Sequence, residues 1–336
     1  MIMAEVEQTR RRSGWNTGRI LGALGVSRAT YYRQRRALKT RREPGSRPVA
    51  VHAVTPEERA AVVAFKLRHP ELRHRALAWT MIDEDQAYLS PSSVYRILSE
   101  EGLLDPWERK KRGAGKKPSR PGRPNELWQT DLRYVKVEAR TYYLLVFLDV
   151  FSRFIPYWEL LRSMDGETVS LAALTALETL AEEDRARVTI QSDNGSAFIS
   201  GDFARVLREN GVGHTRIHPH TPEQNGFVER ALRTLGEPLH EDELASHQQA
   251  DAAMDEIVQW YNHDRLHSGI GYVTPAAMHF GEADRIQKER RTKLAAARHR
   301  RKEENLKLRQ RSLALAAHPE TRSPQATANL RLSQSV

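Results

Sequence analysis

Three strand-like stretches in quick succession, then helix and strand signals in alternation, restrict residues 124–280 to a mixed sheet covered by helices. Trp128–Val137 and Thr141–Val150 are separated by Glu138-Ala139-Arg140, a hairpin-length connection, and Ile155–Leu161 is a third strand. Residues 166–181 are apolar at helical spacing through Val169, Leu171, Ala172, Leu174, Leu177 and Leu180. A strand over 188–192, a helix over 202–210, a strand over 212–217 and a helix from Pro222 follow. Hairpin strands followed by βαβ-type units give an α/β mixed sheet.

Charge divides the chain further. The net charge of +10 favours a polyanionic partner. Residues 1–50 hold twelve Lys/Arg against three Asp/Glu, and residues 281–336 hold fourteen against six. Residues 124–280 reverse the sign, with thirteen against twenty-four. An acidic centre between basic arms holds nucleic acid only with help from a cation, the arms or a second subunit. The chain has no cysteine, which excludes disulfides and cysteine-ligated zinc. No segment is apolar for eighteen residues and no signal-peptide core is present, so a cytoplasmic, nucleoid-associated protein is expected.

The arms carry helical signals. Trp15–Leu24 reads as a helix broken by Gly25, and Ser27 as the N-cap of a basic helix over 28–36. This is a helix-turn-helix pattern over residues 1–50, with Arg28, Arg33, Arg35 and Arg36 as candidate DNA contacts. A second helical module is expected over 51–104. Thr55 caps it, with Pro56 at the first position and Glu58 completing a capping box. Ser90-Pro91 repeats the start, and Arg96 is the one cation of the module's last helix, a candidate contact. Residues 105–123 read as a basic linker, and 281–336 as a basic tail, helical to about 317 and disordered over Pro319–Val336.

Three carboxylates stand out inside the centre. Asp131 ends the apolar stretch from Leu127, a place where β-propensity disfavours aspartate. Asp193 ends a strand and opens the turn Asn194-Gly195, and alone it reads first as a turn former. Glu229, with thirty-five residues between it and Asp193, lies in a helix expected to be capped by Thr221, with Gln224 at the capping-box position. That helix buries Phe227, Val228, Ala231, Leu232, Leu235 and Leu239. Asn225, Glu229, Arg233 and Gly236 share another face. Alone, Glu229 reads as half of a surface pair with Arg233. Together the three carboxylates offer hard oxygen ligands for two Mg²⁺ (or Mn²⁺) ions, which would offset their mutual repulsion. His214, His218 and His220 lie close in sequence, but their spacing on a strand-to-loop segment suits the site or the DNA better than a closed zinc centre.

The combined pattern resembles bacterial insertion-sequence transposases of the OrfB type, which have a retroviral-integrase-like DDE core. The resemblance rests on Trp128-Gln129-Thr130-Asp131, Phe147 to Arg153, Ser192-Asp193-Asn194-Gly195 and Thr221 to Arg230. Trp260 to His267 and Thr274-Pro275-Ala276 resemble that family's end-of-core signature. It implies an RNase H-like core over 124–280, preceded by all-α helix-turn-helix modules and followed by the basic tail. It also implies divalent metal held by Asp131, Asp193 and Glu229, strand cleavage and strand transfer on double-stranded DNA, a homo-oligomer on DNA, and an upstream OrfA-type partner. Asn225 and Arg233 are the DNA contacts expected on the Glu229 helix. One departure is plain. The family often has Lys or Arg seven residues after the glutamate, and here that position is Gly236. Arg233, one turn earlier on the same face, is the residue available to substitute. A DNA-binding regulator on an inactive core and a nuclease acting on RNA–DNA hybrids are the competing readings. The helical modules and basic arms favour duplex DNA over the second.

Overall fold

The structure is a computed structural model that describes residues 2–29, 31–32, 50–104, 121–138, 140–218, 221, 224–240 and 244–317. It divides into two compact units, Val54–Ala297 and Met1–Ala53 with Arg298–Val336. Among the described residues no helix is long and apolar enough to cross a membrane.

In the smaller unit α1 (Ile2–Ser13) precedes α2 (Thr17–Ala23). The helix expected over Trp15–Leu24 is shorter because Asn16 caps it, its side chain accepting from the Arg19 N–H at 2.9 Å. Helix α1 has no counterpart in the sequence reading. Gly25 has φ +64°, the left-handed conformation that suits glycine after a helix, and Val26 N–H returns to Leu21 O at 2.9 Å. Val6, Ile20, Leu21 and Tyr31 form its small core. Arg28 is exposed, while Arg33, Arg35 and Arg36 lie outside the described residues. So do His220, residues 105–120 of the expected linker and the stretch expected to be disordered.

The larger unit begins with α3 (Pro56–Arg68), α4 (His74–Asp83) and α5 (Pro91–Glu100). The Thr55–Glu58 capping box forms in both directions, and Ser90 caps α5. Val62, Phe65, Leu77, Met81, Val94 and Ile97 close a core among the three helices.

The sheet comprises β1 (Leu127–Val137), β2 (Arg140–Asp149), β3 (Tyr157–Leu161), β4 (Thr189–Ser192) and β5 (Gly213–Arg216), in the order β3-β2-β1-β4-β5. β1 to β3 are antiparallel neighbours, while β4 lies parallel to β1 and β5 parallel to β4. This is the RNase H-like mixed sheet.

Alternation along β1 and β2 builds two cores. Val135, Val137, Leu144, Val146 and Leu148 meet α8 (Gly226–Gly236) and α9 (His247–His263) on one face. Trp128, Leu145 and Phe147 meet α6 (Gly166–Glu178) and α7 (Gly201–Glu209) on the other. Covering on both faces explains why β2 reads as an unbroken apolar run. The segment ends with α10 (Pro275–His279) and α11 (Ala283–Ala317).

The start of α8 corrects the sequence reading. The helix begins at Gly226, with Asn225 at its N-cap position and no side-chain cap bond from it. Thr221 Oγ1 instead donates to His218 O at 2.6 Å, and Gln224 Oε1 accepts from the His218 N–H at 3.0 Å. Both residues shape the loop before the helix.

Candidate active site

The parallel pairing of β1 with β4 runs Leu127↔Thr189, Trp128↔Ile190 and Gln129↔Gln191, then stops. Asp131 and Asp193 each follow two residues after that last pair, where the strands part. Crevices beyond strand ends are where α/β sheets place ligands. Asp131 shares a strand face with Gln129, Arg133 and Val135, the face that meets α8.

The carboxylates are held differently. Asp131 is partly buried, and its Oδ1 accepts from the Leu132 N–H at 2.8 Å. Asp193 Oδ1 accepts from the Gly195 N–H at 2.8 Å, an Asx turn of the kind the Asn194-Gly195 pair favours. Asn194 Nδ2 fastens this turn by donating to Ile217 O at 3.1 Å. Glu229 stands exposed in the first turn of α8, where a negative charge is favoured by the helix dipole.

Electrostatics link the three. Burial pushes the Asp131 carboxyl up to about 7, and the charges of Asp193 and Glu229 add to the rise against the opposing Leu132 hydrogen bond. Asp131 therefore lies in a field made by the other two. Among the described residues, however, no three His, Cys, Asp or Glu side chains are gathered closely enough to enclose a metal ion. The carboxylates share a neighbourhood without closing on one point. Their chemistry fits a hard divalent cation: the donors are all oxygens, and burial, with a smaller push from the two neighbouring acids, disfavours an ionised Asp131 that a cation would stabilise.

A fourth carboxylate has another task. Asp149 is fully buried at the end of β2 and accepts from the N–H groups of Asn125 at 3.1 Å and Ser152 at 2.8 Å. It also takes a short hydrogen bond from Ser152 Oγ, which in turn lies 3.0 Å from His279 Nδ1. This cluster fixes the turn after β2 against α10.

Of the expected DNA contacts, Arg233 is exposed on α8, and Arg96 is exposed on α5. Asn225 is different: it is buried, and its Nδ2 donates to Thr130 O at 3.3 Å. A side chain committed to the β1 backbone is not a surface contact, so its expected place facing DNA is corrected. His214 is half-buried beside Ser192 Oγ at 3.0 Å and edge-on to Phe203, and burial lowers its pKa. It serves packing.

Two residues of consequence escaped the sequence reading. Gln129 is buried beneath the site, and its partner Gln191 sits beside it on β4. A polar residue inside the apolar run Leu127-Trp128 was the available signal.

Comparison with known proteins follows the same outline. Residues 121–222 match the family described as Integrase core domain, and residues 210–275 match a second family of that description. The chain is 30% identical over 156 residues to the transposase for insertion sequence element IS904 of Lactococcus lactis subsp. lactis (strain IL1403), covering 45% of this chain. It spans 60% of that relative's length. It is 25% identical over 223 residues to the putative transposase for insertion sequence element IS986/IS6110 of Mycobacterium tuberculosis (strain ATCC 25618 / H37Rv), covering 60% of this chain and 78% of the relative. Among solved structures, the HTLV-2 integrase catalytic core domain in complex with magnesium (trimeric form) superposes with a TM-score of 0.39 at 24% identity, covering 48% of this chain and 99% of the other.

Proposed function

We propose that this chain, which carries an integrase core over residues 121–275, is an insertion-sequence transposase that cuts and joins DNA at the element's ends. The observation that carries the reading is the electrostatic convergence on Asp131, whose carboxyl is raised by burial and by Asp193 and Glu229. A partly buried acid on β1, flanked by Asp193 just beyond β4 and by Glu229 on α8, is a costly arrangement. It is useful where a cation is part of the working state.

Asp131, Asp193 and Glu229 are the residues that would hold Mg²⁺ or Mn²⁺, two ions in this reading. Bound there, the ions would activate an attacking oxygen and stabilise a leaving one on a phosphodiester. The protein's own part is to present the carboxylates as bases and ligands, and the N–H groups of Leu132 and Gly195 hold only Oδ1 of Asp131 and of Asp193, leaving Oδ2 of each for a ligand. In the first step water attacks phosphorus and a 3′-hydroxyl leaves. That hydroxyl then attacks a second phosphodiester and a DNA oxygen leaves in its place, so bonds formed equal bonds broken. Joining two ends calls for more than one core, hence a homo-oligomer on double-stranded DNA in the cytoplasm. Arg28, Arg96 and Arg233 are proposed as phosphate contacts, and an OrfA-type protein as an accessory partner.

The test is cleavage of duplexes carrying the element's termini with Mg²⁺ or Mn²⁺. Wild type is expected to nick them. Asp131→Asn, Asp193→Asn and Glu229→Gln should each lose cleavage by at least a hundredfold while DNA affinity stays within about threefold. Specific binding by wild type with no strand cut would sink the reading and leave a DNA-binding regulator.

A further inference from the structure

We infer that Gln129 and Gln191 form a positioning lock that sets the Glu229 helix against the place where β1 and β4 part, beside Asp131 and Asp193. The inference rests on the reading of those carboxylates as the reaction centre. Gln129 Nε2 donates to Gln191 Oε1 at 2.8 Å and to Gln224 O at 2.5 Å. Its Oε1 accepts from the N–H groups of Phe227 and Val228, both at 3.2 Å. A primary amide has two donor hydrogens and two acceptor lone pairs, and here all four are used.

The placement is as telling as the saturation. Gln129 lies two residues before Asp131, Gln191 two before Asp193, and Phe227 two before Glu229. One side chain thus joins the three elements that carry the carboxylates, each at the same short remove from its acid. Gln129 is 1% exposed, so its geometry is fixed by packing and not by solvent. It also supplies what Asn225 does not, because the first N–H groups of a helix have no partners within it. The cap of α8 comes from β1 and not from the residues before the helix. A rotation of α8 about its axis that carried Glu229 away from Asp131 would therefore also break the bonds to Phe227 and Val228.

A buried glutamine that merely satisfied a helix end would affect stability alone. A lock sets the register of the three acids, so its loss should reach cation affinity. The experiment compares full-length wild type, Gln129→Met, Gln191→Met, Gln191→Glu and Asp193→Asn. Gln191→Met removes only the link between the amides, which keeps the proposal testable should Gln129→Met fail to fold. Gln191→Glu retains an acceptor for Gln129 Nε2 and serves as the conservative rescue.

Four readouts apply: amide hydrogen exchange at Phe227 and Val228, calorimetric titration with Mn²⁺ in the absence of DNA, DNA affinity in EDTA, and cleavage against Mn²⁺ concentration. In Gln129→Met the Phe227 and Val228 amides should lose protection. In both Met variants Mn²⁺ affinity should fall and half-saturation for cleavage rise by about tenfold, the scale of changes around metal ligands. DNA affinity should stay within twofold, and Gln191→Glu should lie closer to wild type than Gln191→Met. Folded Met variants with unchanged Mn²⁺ affinity and half-saturation would overturn the lock. An Asp193→Asn protein that cleaves normally would overturn the underlying reading instead, so the two failures are separate.

Discussion

Arg133 lays its guanidinium over Gly236, in the space that any side chain at that helix position would fill. Its Nη1 also donates to Leu232 O at 3.2 Å, so the arginine covers the carbonyl end of α8. Position 236 is where the resemblance leads one to expect a basic residue. The structure brings a basic group there from β1, two residues beyond Asp131, and the glycine makes room for it. Gly236 has no positive φ, so alanine meets no backbone obstacle and only the flexible tip of Arg133 must move.

Two opposed effects decide the outcome of Gly236→Ala. Alanine gains up to about 1 kcal/mol in a helix, less at its last turn. Displacing Arg133 forfeits a charged hydrogen bond worth roughly 1–2 kcal/mol at a partly exposed site. Gly236→Ala is expected to cost about 0.5 kcal/mol in wild type but to stabilise an Arg133→Ala background by a similar amount. Urea denaturation of the four proteins of the cycle measures this coupling of about 1 kcal/mol. Equal effects in both backgrounds would show that the two residues do not share space.

The same helix shows what can be read from a chain and what cannot. The Thr55–Glu58 box and the Ser90 cap are local signals, complete within four residues, and both form as expected. Asp193 was legible because it follows an apolar strand, Asp131 because it closes the apolar opening of β1, which then runs on to Val137, and the apolar face of α8 because its spacing is periodic. The start of α8 misled because Thr221-Pro222 imitates a local cap, while the groups that bind its free N–H atoms come from Gln129, almost a hundred residues earlier. Asn225 faced the wrong way for the same reason: spacing places a residue on a helix but does not say which strand the helix will meet. Arg133 carries no periodic signal of the glycine it covers.

Asp131 predicts an unusual pH dependence in metal-free protein. Its folded pKa of about 7 lies above the ordinary value of 3.8, so between those limits the folded state keeps a proton that the unfolded chain releases. Its contribution to stability is complete below about pH 4, declines as pH rises and is gone above 7. The slope is at most about 1.4 kcal/mol per pH unit. In EDTA, Asp131→Asn should remove this decline and be the more stable protein at pH 8, by an amount on the order of 2 kcal/mol. Thermal unfolding at pH 5 to 8 tests it, and parallel curves for the two proteins would refute it.

His267 predicts the opposite slope. Burial, then the charges of Arg265, Arg153 and Arg230, hold its pKa down at about 3, against an ordinary 6.5. Its Nδ1 accepts from the Gly269 N–H at 3.1 Å, a role open only to the neutral ring. Between pH 3 and 6.5 the unfolded chain takes up a proton that the folded state refuses. This contribution is complete above 6.5 and is lost as pH falls towards 3. Across pH 4 to 6.5 it opposes that of Asp131, so the metal-free wild type should show a flattened profile. His267→Gln should unmask the decline with rising pH, and Asp131→Asn the decline with falling pH. An NMR titration that finds the His267 ring protonating near 6.5 would reject the assignment.

The ion pair between Asp83 and Arg290 separates the cost of burial from the value of attraction. Arg290 is almost fully buried and reaches from α11 to the end of α4, with Nε 2.7 Å from Oδ1 and Nη2 2.5 Å from Oδ2 of Asp83. Its Nη1 donates to Tyr272 O at 2.7 Å, and its guanidinium lies 5.2 Å from the centre of the Trp79 ring. Asp83 is about one-third exposed, so the two partners do not stand equally. Removing Asp83 strands a buried cation, whereas removing Arg290 leaves a carboxylate that water can reach. Breaking a buried pair from the stranded side costs roughly 3–5 kcal/mol, and the exposure of Asp83 moves the expectation to about 2–3. Asp83→Ala is therefore predicted to cost about 2–3 kcal/mol, and Arg290→Met, which fills the same space with apolar atoms, less than about half as much. Urea denaturation followed by far-ultraviolet circular dichroism gives both values. If Arg290→Met proved the more damaging change, attraction and not desolvation would be the larger quantity at this contact.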